Sequence, residues 1–161
     1  MPVDASARLI ALTRAYLAAD YRWRHGDAWQ ALAIGAPATP LEHAFPDARA
    51  FGVLTAWNPH SEPQDAAGNA AADARLRRDL DAAGILAVAA ESGAPTQGWR
   101  EPGWLLPGLS CEACDTLARR YRQLGALWWR RGDAVALRMY ASRPAAYADD
   151  ARVVWAGVST F

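Results

Sequence analysis

Apolar residues recur at helical spacing near the start of the chain. Leu9, Leu12, Tyr16 and Leu17 share one stripe, which predicts a helix over 4–20. "YRWRHGDAWQALAIG" then breaks two short alternating runs with Gly26-Asp27 and predicts a hairpin ending at Gly35. Pro37 and Pro40 mark a loop, with a short helix within 41–49. "FGVLTAW" (51–57) is a compact apolar run closed by Asn-Pro, the pattern of a buried strand. A long helix is expected over 62–83, stopped at Gly84. A second buried strand, "ILAVAAE" (85–91), follows. Residues 92–98 read as a loop, and "WREPGWLLPG" (99–108) as holding a short extended segment. Residues 110–124 predict another helix, and "ALWWRRGDAVALRMY" (126–140) a hairpin turning at Gly132-Asp133.

Strand, helix and strand flanked by hairpins predict an α+β or α/β fold. The expectation is a single mixed sheet of about five to seven strands with three main helices packed on it. Residues 1–143 read as one globular α/β domain. Residues 144–161 read as a C-terminal extension in which "RVVWAGV" (152–158) adds one strand.

Composition narrows the chemistry. The 161 residues have a formal net charge of zero, which argues against a general binder of nucleic acid or of an anionic membrane. All 17 basic residues are arginine. Without lysine, a Schiff base, a pyridoxal linkage and a Walker-type phosphate lysine are excluded. Arginine still offers fork-like contacts to carboxylate or phosphate. No stretch approaches the roughly 20 apolar residues of a membrane span, and the first residues lack a signal-peptide pattern, so a cytoplasmic protein is expected.

Asn58 and Asn69 are the only asparagines, and both sit around one turn. Thr55, Asn58, His60 and Ser61 lie at or past the carboxyl end of the predicted 51–57 strand. Ser61 reads as the N-cap of the next helix, with Gln64 completing a capping box. That arrangement puts backbone N–H groups and a helix dipole at the edge where open α/β sheets bind ligands. The dipole is worth only about 0.3–1 kcal/mol at an exposed site, and Glu62 and Asp65 already complement it. Asn69 falls on the apolar stripe of Ala72, Leu76, Leu80 and Ala83. A buried amide there needs partners or costs roughly 1–3 kcal/mol. The expected partners are the 57–61 turn and the "WREPGW" segment, with Gly68 allowing close backbone approach.

These residues carry a resemblance. "FGVLTAWNPHSEPQDAAGNAAADARLRRDL", "AAESG", "WREPGWLL" and "LARRYRQLGALWW" resemble the bacterial domain-of-unknown-function family numbered 3293 over roughly residues 15–140. Its pattern falls on Thr55, Asn58, Pro59, Ser61, Asn69, Glu91, Trp99, Glu101 and Gln123. Leu124 stands where the family usually carries Asn. The resemblance implies no activity.

Other groupings are weaker. Glu91 and Glu101, with Arg100 beside the latter, are candidates for paired carboxylates or for surface ion pairs. Cys111 and Cys114 have redox spacing at a helix start, but Cys114, Leu117, Tyr121 and Leu124 share an apolar stripe that reads as core. No metal and no cofactor is expected. The candidate ligand-binding residues are Thr55, Asn58, Ser61, Asn69 and Glu101, followed by Glu91, Arg100 and Gln123. The expected partner is a small anionic or nucleotide-like ligand at the Asn58-Pro59 turn and following helix N-terminus. The alternatives are a protein-interaction module without catalysis and a nucleic-acid accessory protein using the arginine-rich late helix. The sequence leaves open whether the protein is an enzyme.

Overall fold

Alternation along the central strands sorts side chains onto two faces, and each face is buried under helices. A computed structural model describes residues 4–94, 96 and 98–157, without the side chain of Trp99. The strands are β1 (Asp20–His25), β2 (Ala28–Leu32), β3 (Ala50–Leu54), β4 (Val88–Ala94), β5 (Trp99–Pro107), β6 (Gly125–Arg130), β7 (Ala136–Met139) and β8 (Val153–Trp155). They form one sheet in the order β2-β1-β4-β5-β3-β6-β7-β8. Neighbours are antiparallel except β7 and β8, which run parallel and make the sheet mixed.

The helices are α1 (Ala5–Ala18), α2 (Thr39–Ala44), α3 (Ala66–Ala82) and α4 (Cys111–Arg120). Phe51, Leu105, Leu127 and Trp129 point to one face, with Leu9, Tyr16 and Leu17 of α1 and Leu41 of α2 packed there. Leu54, Leu106 and Ala126 point to the other, against Leu76 and Leu80 of α3 and Leu117 of α4. The result is helices on both sides of a continuous sheet. No helix among the described residues is long and apolar enough to cross a membrane.

The α+β architecture with a mixed sheet follows the sequence pattern, but the sheet has eight strands, not five to seven, and four helices pack on it. Most of the undercount comes from "WREPGWLLP", read as a short extended segment because of its prolines, which is a full strand. The prolines sit where a missing N–H is tolerated. Pro107 is the last residue, and Pro102 lies beyond Trp104, the last residue paired with β3. Residue 158, the end of the expected last strand, lies outside the described residues.

Element edges also move. β4 starts at Val88 because the helix cap consumes the preceding residues: Gly84 adopts φ 66° and Ile85 donates its N–H to the Leu80 carbonyl at 3.0 Å. α3 starts at Ala66 because Asp65, not Ser61, caps it, its carboxylate accepting the Gly68 N–H at 2.6 Å. α4 stops at Arg120, so Gln123 lies in a turn after the helix. There Arg122 adopts φ 54°.

Candidate functional site

The candidate site forms where β3 leaves the sheet. β3 pairs with β5 only as far as Leu54 opposite Trp104, whereas β5 continues back to Trp99 alongside β4. Thr55 turns the chain out: its hydroxyl donates to the Pro102 carbonyl at 2.8 Å and accepts the Trp57 N–H at 3.0 Å. Close contact at this exit requires Gly103, since a Cβ there would sit 2.8 Å from the Leu54 carbonyl oxygen. The expected strand end at Trp57 is therefore three residues late. Thr55 is a brace for the exit, with both hydrogen-bonding capacities of its hydroxyl engaged inside the chain.

The departure of β3 leaves the edge of β5 open at Glu101. Register places Tyr21, Ser92 and Glu101 side by side on β1, β4 and β5, hence on one face of the sheet. The excursion 58–64 closes back over this opening. Asn58, His60 and Ser61 all adopt the left-handed region, with φ of 46°, 58° and 57°. Such conformations cost of order 1–3 kcal/mol each and persist only where surrounding contacts impose them.

Those contacts centre on the two asparagines. Asn58 donates its backbone N–H to Asn69 Oδ1 at 2.9 Å, and Asn69 Nδ2 donates back to Asn58 Oδ1 at 3.0 Å. Asn58 Oδ1 also accepts the Gln64 N–H at 2.9 Å, while Asn58 Nδ2 donates to Glu101 Oε1 at 2.6 Å. Neither amide can be turned over. Each oxygen faces a backbone N–H, which only donates. Asn69 is 3% exposed and lies on the buried stripe of α3 with Ala72, Leu76 and Leu80, as the spacing predicts. What lies against Gly68 is not the backbone expected there but side chains: a Cβ would lie 2.8 Å from Asp65 Oδ1 and 3.0 Å from Gln64 Cδ.

Two further anchors hold the excursion. Gln123 donates Nε2 to the Trp57 carbonyl at 3.0 Å and to the Tyr121 carbonyl at 3.2 Å. The His60 N–H reaches the Arg122 carbonyl at 2.7 Å. Ser61 caps no helix. Its Oγ lies 3.3 Å from the Tyr16 hydroxyl of α1, which joins the excursion to the helix across the opening.

A cleft of about 470 Å³ lies between α1, β5 and the excursion, with Asn58, Ser61, Asn69, Arg100, Glu101 and Gln123 in its wall. Arg100 borders the cleft with its guanidinium turned to the other face beside Glu91, whereas four of the five leading candidates, Asn58, Ser61, Asn69 and Glu101, are brought together there, as is Gln123. Glu91 is not. It sits opposite Pro102 on the other face of the sheet, where Arg22 Nη2 lies 2.6 Å and Arg100 Nη1 3.8 Å from it. The paired-carboxylate arrangement of Glu91 and Glu101 is absent, because neighbouring register positions point to opposite faces.

The electrostatics of the cleft centre on Glu101. Burial pushes its carboxyl above the usual carboxylate range, and the hydrogen bond from Asn58 pulls it back in part. Among the described residues, Asn58 is its only hydrogen-bond partner. Burial likewise raises the hydroxyl of Tyr16, and the nearby Glu101 adds to that rise. The N-terminus of α3 offers an anion little, since Asp65 takes the Gly68 N–H and Asn58 takes the Gln64 N–H.

Tyr16, which the sequence places on the stripe of the first helix, and Tyr21, which it places in the first hairpin, also line the cleft. The signal for Tyr16 was its place on the α1 stripe, because a buried phenol needs a partner for its hydroxyl. Tyr21 donates its own to the Tyr16 carbonyl at 2.7 Å. Gly125 makes room for the Tyr16 ring, whose Cε1 would lie 3.3 Å from a Cβ there.

The Cys111 and Cys114 pair lies away from the cleft. Cys114 is fully buried in the second core, with Sγ 3.6 Å from the Tyr140 hydroxyl, and burial pushes its thiol up to about 11. No group of three or more His, Cys, Asp or Glu suited to a metal ion occurs among the described residues.

No curated protein and no solved structure matches the chain. Residues 54–125, the segment that carries Asn58, Asn69, Glu101 and Gln123, match the family described as a protein of unknown function (DUF3293).

Proposed function

We propose that the cleft between α1, β5 and the 58–64 excursion binds a small, nucleotide-like polar ligand. Its N–H or O–H donors face Glu101. The observation that carries this reading is the state of Glu101: one carboxylate oxygen is fixed by Asn58, and no second partner is supplied by the described residues. A half-buried acceptor held in place on one side only is suited to a donor from outside. The cleft volume, about 470 Å³, falls within the range of small-molecule sites. We place this activity in a bacterial cytoplasm, supported by the likeness to a bacterial family and by two free cysteines, which suit a reducing compartment.

A thermal-shift screen with nucleosides, nucleotides and amino acids tests the reading. A ligand at 100 times its Kd adds about 2.7 kcal/mol, which for a chain of this size raises Tm by roughly 5–11 °C. Glu101→Gln keeps an oxygen for Asn58 but replaces the outward acceptor and the charge, so it should fold and lose the shift. A shift that survives in Glu101→Gln, or no shift with any class, overturns the proposal.

A further inference from the structure

A second cleft, of about 620 Å³, lies on the other side of the same excursion, between α3 and the end of α4. Four guanidinium groups line it: Arg75 and Arg78, one turn apart on α3, Arg120 at the end of α4 and Arg122 beyond it. One carboxylate, Asp79, stands among them. It is already committed, accepting the Tyr121 hydroxyl at 2.5 Å and Arg120 Nη1 at 3.2 Å. The Tyr121 hydrogen bond, followed by the charge of Arg120, holds its carboxyl below the usual range.

That leaves a surplus. Among the described residues Arg75, Arg78 and Arg122 form no ion pair, whereas the neighbouring Arg77 is paired with Asp81. A chain of zero net charge thus gathers three uncompensated cations in one concavity. Helix-end electrostatics explain only part of it. Arg120 lies in the last turn of α4, where a cation complements the dipole, but α3 has no basic residue in its last turn. Arg75 and Arg78 stand earlier on α3, and like charges one turn apart repel.

We infer that this cleft is an anion site for a small phosphoryl ligand with at least two phosphate groups, gripped by Arg75 and Arg78 from one wall and Arg122 from the other. Guanidinium forks match phosphate oxygens bidentately, and convergence from two elements within a walled cleft fits a discrete ligand. A nucleic-acid track needs a continuous stripe along a surface instead. The site stands independently of the Glu101 cleft.

Titration calorimetry with inorganic pyrophosphate at low ionic strength tests the inference. Saturable binding to the wild type is expected, weakened at least about tenfold in Arg78→Ala, the loss of one charge-assisted fork. The exposed Arg14, outside the cleft, supplies the charge-matched control: Arg14→Ala should bind as the wild type does. Glu101→Gln should also bind normally, which separates this site from the other. Absence of binding, equal weakening by Arg14→Ala, or binding of single-stranded oligonucleotide without pyrophosphate would each overturn the inference.

Discussion

Replacing Asn69 by alanine removes the inward member of the amide pair. Asn69 Oδ1 takes the Asn58 backbone N–H at 2.9 Å, and Asn69 Nδ2 gives to Asn58 Oδ1 at 3.0 Å. Asn58 Oδ1 retains the Gln64 N–H, so its loss is one ordinary net hydrogen bond of about 0.5–1.5 kcal/mol. Among the described residues the Asn58 N–H has no other partner, and it is left in a partly buried, left-handed turn, which costs about 1–3 kcal/mol. Together these predict a destabilisation of about 1.5–4.5 kcal/mol, or a fall in Tm of roughly 3–18 °C. Urea unfolding followed by tryptophan fluorescence measures it, with an unchanged m-value showing that the unfolded state is unaltered. Asn69→Asp keeps the acceptor for the Asn58 N–H but sets an oxygen against Asn58 Oδ1, so it should not recover the wild-type value. A loss below about 0.5 kcal/mol for Asn69→Ala, the range of an ordinary surface substitution, would refute the brace.

The raised carboxyl of Glu101 predicts a pH dependence with a definite sign. A group whose folded pKa lies above its unfolded value favours the folded state most below the unfolded value, and that favour is lost as pH rises through the folded one. Wild type should therefore lose stability relative to Glu101→Gln as pH climbs from the ordinary glutamate value of 4.5 through the raised one. A flat difference between the two across that interval contradicts the assigned environment. The cysteine pair should behave as core chemistry. With the Cys114 thiol pushed up to about 11 and fully buried, an alkylating reagent at pH 8 should label Cys111 far faster than Cys114 in the folded protein. Equal labelling read by peptide mass spectrometry would restore the redox reading.

The junction was legible in the sequence because it rests on rare residues with few ways to be satisfied. Two asparagines eleven apart, one on an apolar helical stripe, left the 57–61 turn as a natural partner. The outline of the sheet was legible for the same reason, in apolar runs bounded by turn residues. What the sequence hid depended on contacts between distant segments. The strand exit moved to Leu54 because Thr55 bonds to Pro102, 47 residues away. The cap moved to Asp65 because Ser61 turns toward Tyr16 on α1. Glu91 and Glu101 looked like a pair in one dimension, yet the pleat sets them on opposite faces.

With only two asparagines in the chain, selective 15N-asparagine labelling yields two side-chain amide pairs in an NMR spectrum, one for each half of the junction. Both should be dispersed and slowly exchanging, and the Asn58 pair should shift as Glu101 titrates above the usual carboxylate range. Two overlapping, fast-exchanging pairs that ignore pH would contradict the account.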